Sequence, residues 1–527
     1  MDNVLERLIA SVVCATLFCI ATYKTLGAMQ QSGYKNRAFW GWARKEGNML
    51  FNRLGMLGIC IALTTTVFSL CFSPFGTQIA LIVSALPFLA LWGAYILSDR
   101  KYALKIATVP TGRVKRLFIV YYFLTLCITY AVIVLLTFLA VWNGSTLYKL
   151  VSYAPFAFIA LLLPAILSLA NAVVSPFENA RNARFVKRAG QKLDERKLVR
   201  VAVVGSYGKT SVKNILKTLL SEKYQTVETP ASYNTPVGIA KTALSPAIET
   251  AEVFIAEMGA RRVGDIQTLC ELVKPDFCAF TGVCAQHIQT FGSEEAILKE
   301  KSAPIRYGAR TVCGAGLQGK VEENARVSFA CAVENVCLGA TETIFTLLLG
   351  GQKITVKTAL LGNSAVENIA LGATLAYEMG LTIEEIARGV EKLAPIPHRL
   401  QLTEQNGVYI LDDGYNANPR GAKESVLALA RFAGKKYIVT PGLVECGVLE
   451  EKINGDLGAE IANAGLDKVI LVGDTLVGAV KTGYLQAGGD AEKLHIVKTL
   501  EQAKPLFEGE LGVGDCILFL NDLPDVY

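Results

Sequence analysis

The stretch Val199-Arg200-Val201-Ala202-Val203-Val204-Gly205-Ser206-Tyr207-Gly208-Lys209-Thr210-Ser211 decides the fold. An apolar, β-branched run breaks into a glycine-bounded turn, and an apolar helical pattern (Val212, Ile215, Leu216, Leu219, Leu220) follows at once. Buried strand, glycine turn, Lys-Thr and helix start together make a phosphate cradle. The glycines admit an anion close to the backbone, free N–H groups at the helix start point toward it, and Lys209 adds a mobile charge. Gly205, Ser206, Tyr207, Gly208, Lys209, Thr210 and Ser211 are therefore the expected nucleotide loop, with Thr210 or Ser211 placed to ligate a Mg2+ that travels with the phosphates.

Working outward, Val253-Phe254-Ile255-Ala256-Glu257-Met258-Gly259 reads as a buried strand with a carboxylate at its C-terminal end, where ligands gather in open α/β sheets. Pro275 to Val283 is a third strand, followed by His287. Strands alternating with helices imply a mostly parallel sheet. Tyr437 to Glu445 and Lys468 to Asp474 read as strands with a helix at Leu457 to Ala464 between them, a second and smaller Rossmann-like α/β domain.

Toward the N-terminus the chain changes character. Its 527 residues are 52% hydrophobic, with a mean hydropathy of +0.38, too apolar for an ordinary soluble enzyme. Residues 1–200 hold 22 Lys and Arg against 7 Asp and Glu, while the rest hold 30 against 39. That asymmetry speaks against a nucleic-acid partner and for a membrane domain with cationic loops joined to a soluble part. Five apolar stretches are long enough to cross a bilayer: Leu8 to Met29, Leu54 to Phe72, Ile79 to Leu97, Phe118 to Val141 and Val151 to Val174. The loops rich in Lys and Arg (35–53, 100–116 and 181–197) all fall on one side, which places the N-terminus outside and the remainder of the chain in the cytoplasm. No charged side chain sits in mid-span, so an anchor in contact with membrane lipid is the simpler reading than an ion path. The 13 cysteines are scattered without a Cys-x-x-Cys pair, the usage of a reducing compartment.

From Val199 onward the chain resembles the Mur ligases, ATP-dependent amide-bond ligases of peptidoglycan synthesis, and within them the branch that adds D-alanyl-D-alanine. Gly205 to Ser211 matches the family's ATP loop, and Asn234-Thr235-Pro236-Val237-Gly238 its Asn-x-x-x-Gly element. The resemblance implies a Mg2+-binding glutamate at Glu257, a metal-site histidine at His287 and a carbamylated lysine at Lys301. It further implies an adenine-side asparagine at Asn368, a hinge arginine at Arg399, and the signature Asp412-Asp413-Gly414-Tyr415-Asn416-Ala417-Asn418-Pro419. Lys209, His287 and Lys301 are then the expected catalytic groups; Asn368, Arg399 and Asp413 touch nucleotide; Asn234, Tyr415, Asn416, Asn418 and Glu445 face substrate. Asn454 and Asn521 or Asp522 are further polar loop-end candidates.

Two departures stand out. Where the family has Gly-x-His-Asn-x-x-Asn, this chain has Gly362-Asn363-Ser364-Ala365-Val366-Glu367-Asn368; where it has a Lys-Gly-Ser-Arg turn, this chain has Leu518 to Asp525. The apolar helices also stand where the family carries the domain that grips UDP, so the resemblance carries the ligase chemistry further than it carries a UDP-linked acceptor. The expected organisation is a five-span transmembrane domain over 1–175 and a basic juxtamembrane linker over 176–198. An ATP-binding Mur ligase central domain over 199–397 and a C-terminal domain over 398–527 follow. The expected function is ATP- and Mg2+-dependent joining of a carboxylate acceptor, a cell-wall precursor in soluble or lipid-linked form, to an amino acid or dipeptide amine. Alternatives from the same residues are a poly-γ-glutamate-type ligase and an ATP-gated transporter or lipid flippase.

Overall fold

The computed structural model describes residues 4–44, 50–99, 108–143, 154–284, 291–415, 418–444, 449–473 and 476–521. They fall into two compact units that part at Asn182, inside the helix Leu163–Glu195.

The first unit is helical. Five of its helices are long and apolar enough to span a membrane: Val4–Ala21, Leu50–Cys71, Gln78–Asp99, Gly112–Asn143 and Phe156–Glu195, the last opening as a 3-10 turn over Ala154–Leu162. The first apolar stretch is not one rod. It breaks at Thr22, whose hydroxyl is shared between the Phe18 carbonyl and Tyr121 Oη (both 2.7 Å), and resumes as Tyr23–Gln31. A hydroxyl that returns to the i−4 carbonyl and also meets a neighbouring helix gives the backbone an alternative to continuing straight. Polar groups gather at helix ends: Asp99 pairs with Lys24 (3.0 Å) and Arg53 (2.8 Å), and Asn171 donates to Asn36 Oδ1 and the Tyr34 carbonyl. The expected basic juxtamembrane linker is helical through Glu195, and its last turns bury Ala189 and Leu193 in the core of the second unit, beside Leu272.

The described residues of the second unit form a parallel sheet, a small antiparallel sheet and a second, mostly parallel sheet. In the first, β1 (Val199–Val204), β2 (Thr226–Glu228), β3 (Val253–Glu257), β4 (Phe277–Phe280), β5 (Arg310–Cys313) and β6 (Val327–Phe329) are ordered β2-β3-β1-β4-β5-β6, every pairing parallel. Central strands buried on both faces must be apolar throughout, which is why Val201 to Val204 and Val253 to Ala256 show no alternation. An antiparallel sheet of β7 (Val333–Leu338), β8 (Thr343–Leu349) and β9 (Gln352–Thr358) packs Phe345, Leu347 and Val356 onto the same core.

The second sheet collects β10 (Gln401–Gln405), β11 (Val408–Asp413), β12 (Lys436–Thr440), β13 (Lys468–Val472), β14 (Leu494–Val497) and β15 (Cys516–Leu520) in the order β10-β11-β15-β12-β13-β14. Only the edge pair β10–β11 is antiparallel. The helix expected at Leu457 to Ala464 runs from Glu450 to Asn463. The expected α/β architecture, a parallel central sheet followed by a Rossmann-like α/β domain, is the one observed, and among the described residues the second sheet has six strands, as many as the first.

Candidate active site

Strand β1 lies between β3 and β4, so the chain order reverses there and a crevice opens beyond its C-terminal end. The glycine turn occupies that crevice. Gly205 has φ +146°, and a Cβ there would stand 1.9 Å from Thr281 Oγ1; Gly208 has φ +70°, and a Cβ there would stand 2.8 Å from Asn368 Oδ1. Both positions exclude side chains on backbone and contact grounds together. Gly208 begins the helix Lys209–Leu220 without a side-chain cap, leaving first-turn N–H groups for a ligand. Ser206 is buried and its hydroxyl has no hydrogen-bond partner among the described residues, an acceptor-seeking group inside the cradle.

Lys209 curls back to the carbonyls of Gly205 (3.0 Å) and Ser206 (3.3 Å). Burial lowers its pKa; Glu257 opposes that shift and the Arg399 charge adds to it. Thr210 Oγ1 donates to Glu257 Oε2 at 3.0 Å, and Asn234 Nδ2 donates to Glu257 Oε1 at 3.3 Å. Lys301 ends the helix Glu294–Lys301, which Ser293 caps. Its neighbour Glu300 is turned away, accepting the N–H groups of Gly264 and Ile266 (2.8 Å each) at the start of the helix Asp265–Val273. That anchor buries Lys301, whose Nζ donates to the Gly205 carbonyl at 2.8 Å. Burial first, and the Lys209 charge second, bring its pKa down to about 7.

The opposite wall comes from the C-terminal sheet. Asp413, at the end of β11, is buried; it accepts the Leu400 N–H (2.9 Å) and the Ser425 hydroxyl, and so fixes the turn that carries Arg399. That turn is strained, with His398 at φ +62° and Leu400 at φ +44°. Arg399, Asn368, Tyr207 and Asn418 line one cleft. Asn418 caps the helix Pro419–Ala430 by accepting the Gly421 N–H (2.9 Å). Tyr415 is exposed, its ring 4.8 Å from that of His398. Asn454 is buried, with its amide spent on Leu443 and Glu450 backbone, and Asn521 donates to the Gly442 carbonyl at 2.6 Å. His287, Asn416, Glu445 and Asp522 lie outside the described residues.

Sequence reading passed over Arg420, Glu367 and Lys213. Arg420 makes a two-pronged pair with Glu367 (2.6 Å to each oxygen), donates to Tyr207 Oη (3.1 Å) and lies over its ring, joining both walls of the cleft. No spacing rule relates residues 207, 367 and 420. Lys213 was findable: it sits three residues before Leu216 and seven before Leu220, inside an apolar stripe where an ammonium has no place without a partner.

The model of the Mur ligase middle domain matches residues 203–305, and that of the Mur ligase glutamate ligase domain matches residues 398–520. The chain carries the middle and C-terminal domains of a Mur ligase. The UDP-N-acetylmuramoyl-tripeptide–D-alanyl-D-alanine ligase of Escherichia coli is 28% identical over 293 residues, 52% of this chain and 64% of the relative. The Bacillus subtilis ligase of the same name is 28% identical over 338 residues, 60% of this chain and 72% of the relative. The chain thus spans about two thirds of the length of these relatives. Among solved structures, the Thermotoga maritima MurF ligase in complex with ADP aligns at a TM-score of 0.58 and 26% identity, over 65% of this chain and 80% of that one. MurF from Acinetobacter baumannii, at 22% identity and the same TM-score over 65% of this chain and 77% of that one, shares the fold. Glycine loop, Glu257 and Lys301 fall within the matched middle domain, and Arg399 to Asn418 within the matched C-terminal domain.

Proposed function

We propose that this Mur ligase is a membrane-anchored, ADP-forming peptide-bond synthase that acts on a peptidoglycan precursor. The observation that carries the reading is the pairing of Thr210 with Glu257 at the Gly205–Lys209 cradle, whose Tyr207 and Gly208 line a cleft that Arg399, Asp413 and Asn418 of the C-terminal domain close from the other side. The relatives named above are UDP-N-acetylmuramoyl-tripeptide–D-alanyl-D-alanine ligases, and one structural neighbour holds ADP.

In the proposed reaction an acceptor carboxylate oxygen attacks the γ-phosphorus of ATP. The bond from γ-phosphorus to the bridging oxygen breaks, and ADP leaves with the electron pair. An amine nitrogen then attacks the acyl-phosphate carbonyl, inorganic phosphate departs, and the nitrogen loses a proton to leave an amide. Lys209 and the loop N–H groups neutralise and orient the phosphates, the main requirement of phosphoryl transfer. The orphaned Ser206 hydroxyl and the side-chain-free cradle fit a polyphosphate. Thr210 and Glu257 offer the hard oxygens that Mg2+ takes alongside phosphate and water, and such an ion would neutralise charge on the transferred group. Lys301, carbamylated, and His287 are the proposed holders of a second ion; Asn368, Arg399 and Asp413 are the nucleotide wall; Asn234, Tyr415, Asn416, Asn418 and Glu445 face the acceptor and amine.

Residues 1–175 form the proposed membrane domain, with the N-terminus outside and residues 199–397 and 398–527 as cytoplasmic domains. The test is phosphate release by the detergent-solubilised full chain with Mg-ATP, screened against carboxylate acceptors and amino-acid or dipeptide amines, with Lys209→Ala as blank. Release that needs both acceptor and amine supports the reading; release with no amine, or none beyond the blank, refutes it.

A further inference from the structure

Lys213 is 1% exposed, although the helix face it occupies is otherwise apolar. A buried ammonium is tolerated only where its charge and donors are met. Each of its contacts leads to the same corner. Nζ donates to the carbonyls of Thr229 (2.6 Å) and Ala231 (2.7 Å), and stands 3.6 Å from Glu257 Oε2. Ala231 holds φ +45°, a left-handed turn that a non-glycine residue seldom adopts, and here it brings the second carbonyl to the ammonium. The same loop returns to Glu257 twice more: the Glu257 N–H donates to Thr229 Oγ1 (3.1 Å), and Asn234 Nδ2 reaches Oε1. A second carboxylate, Glu228, lies within electrostatic reach of Lys213, with one buried oxygen that no hydrogen bond satisfies.

We propose that Lys213 is the positioning residue of the cation-binding corner: its ammonium locks the 229–234 loop to Glu257. Thr210, Glu257 and Asn234 then stand ordered before Mg-nucleotide arrives. The inference rests on the nucleotide-binding reading above. Lys213 does not itself touch ligand, because its donors are turned onto two backbone carbonyls behind the carboxylate. A neutral side chain of the same length would leave those carbonyls unfilled and the Glu257 charge uncompensated, so the loop and the carboxylate would loosen together.

The experiment uses the full chain in detergent and two readouts: calorimetric titration of ADP with and without Mg2+, and hydrogen exchange in peptides covering residues 226–239. Groups that orient a metal ligand typically contribute ten- to a hundredfold in affinity, so Lys213→Met should lose at least about tenfold of the tightening that Mg2+ gives, with Mg2+-free ADP affinity within about twofold of the parent. Exchange at 229–235 should accelerate while that of β15 stays unchanged. If Lys213→Met does not fold, Lys213→Met/Glu257→Gln removes the uncompensated charge and is compared with Glu257→Gln alone. Faster loop exchange in the double variant supports the assignment, and equal exchange overturns it. Lys213→Met that keeps the full Mg2+ effect overturns the assignment alone, whereas a parent protein that binds no ADP overturns the functional reading itself.

Discussion

Lys301 gives the sharpest quantitative handle on the site. Its amine is brought from an ordinary 10.5 down to about 7 by burial and by Lys209, so at pH 7 about half of it is neutral, against about one in 3,000 for an exposed lysine. Only the neutral amine adds CO2, so at that pH the competent form is about a thousandfold more populated at Lys301 than at a surface lysine. The sign follows from linkage. The folded state disfavours the ammonium, so a penalty of about 5 kcal/mol is fully present below pH 7 and fades as pH rises from 7 toward 10.5. Carbamylation removes the same penalty by replacing cation with anion beside Lys209. The assay is 13C NMR of the full chain in detergent with 13C-bicarbonate, from pH 6 to 9, with Lys301→Arg as blank. A single carbamate resonance should rise through pH 7 and level off by about pH 8, one unit above the amine's pKa. A resonance that still climbs at pH 9, or none above the blank, would refute the argument that burial primes this residue.

Gly208→Ala combines a left-handed backbone strain of about 1–2 kcal/mol with a Cβ 2.8 Å from Asn368 Oδ1, and should weaken ADP binding at least tenfold by calorimetry while leaving the far-UV circular dichroism unchanged. Arg420→Ala breaks a half-exposed ion pair worth about 0.2–1 kcal/mol, so the KM for ATP should rise no more than about fivefold, and the exchange Arg420→Glu/Glu367→Arg should recover it. An exchange variant no better than the single one would mean that Arg420 acts on substrate instead. Asp413→Asn cannot accept from both the Ser425 hydroxyl and the Leu400 N–H with its two terminal atoms, and should lower stability by about 1–3 kcal/mol in a denaturant melt. In spheroplasts, a protease added outside should spare a tag at residue 527 and remove one at the N-terminus; the reverse pattern would overturn the orientation drawn from the basic loops.

The sequence shows some of this site plainly and hides the rest for identifiable reasons. The cradle, Glu257 and the parallel sheet were legible because each signal is local: the glycine turn follows directly on the apolar run Val199–Val204, and Glu257 directly ends the apolar run that begins at Val253. The break at Thr22 was not, because its reason lies a hundred residues away in Tyr121. Hydropathy counts apolar residues and is blind to a hydroxyl that serves two helices. Asp413 was legible as important but not in its task; only the fold shows that its carboxylate holds the Arg399 turn. Arg420 and Glu367 belong to different domains, and their meeting depends on how those domains close.

The charge balance of the cradle explains why so many of its residues look uncomfortable. Lys209 and Lys301 donate to the same Gly205 carbonyl, Lys213 lies one helical turn beyond Lys209, and Glu257 is the carboxylate that meets this group. Burial first lowers the pKa of both Lys209 and Lys301, and a neighbouring cation adds to it, Arg399 for Lys209 and Lys209 for Lys301, so this excess of cations is unfavourable. The excess is sensible only if a polyanion completes the site, since a triphosphate would return to each lysine the charge partner it lacks. Lys213 differs from the other two because its donors and its carboxylate are already supplied by the protein. One lysine therefore belongs to the scaffold and two await the ligand. Binding of nucleotide should consequently raise the Lys301 pKa and slow its carbamylation, so an enzyme carbamylated before ATP arrives would be better prepared than one that meets ATP first.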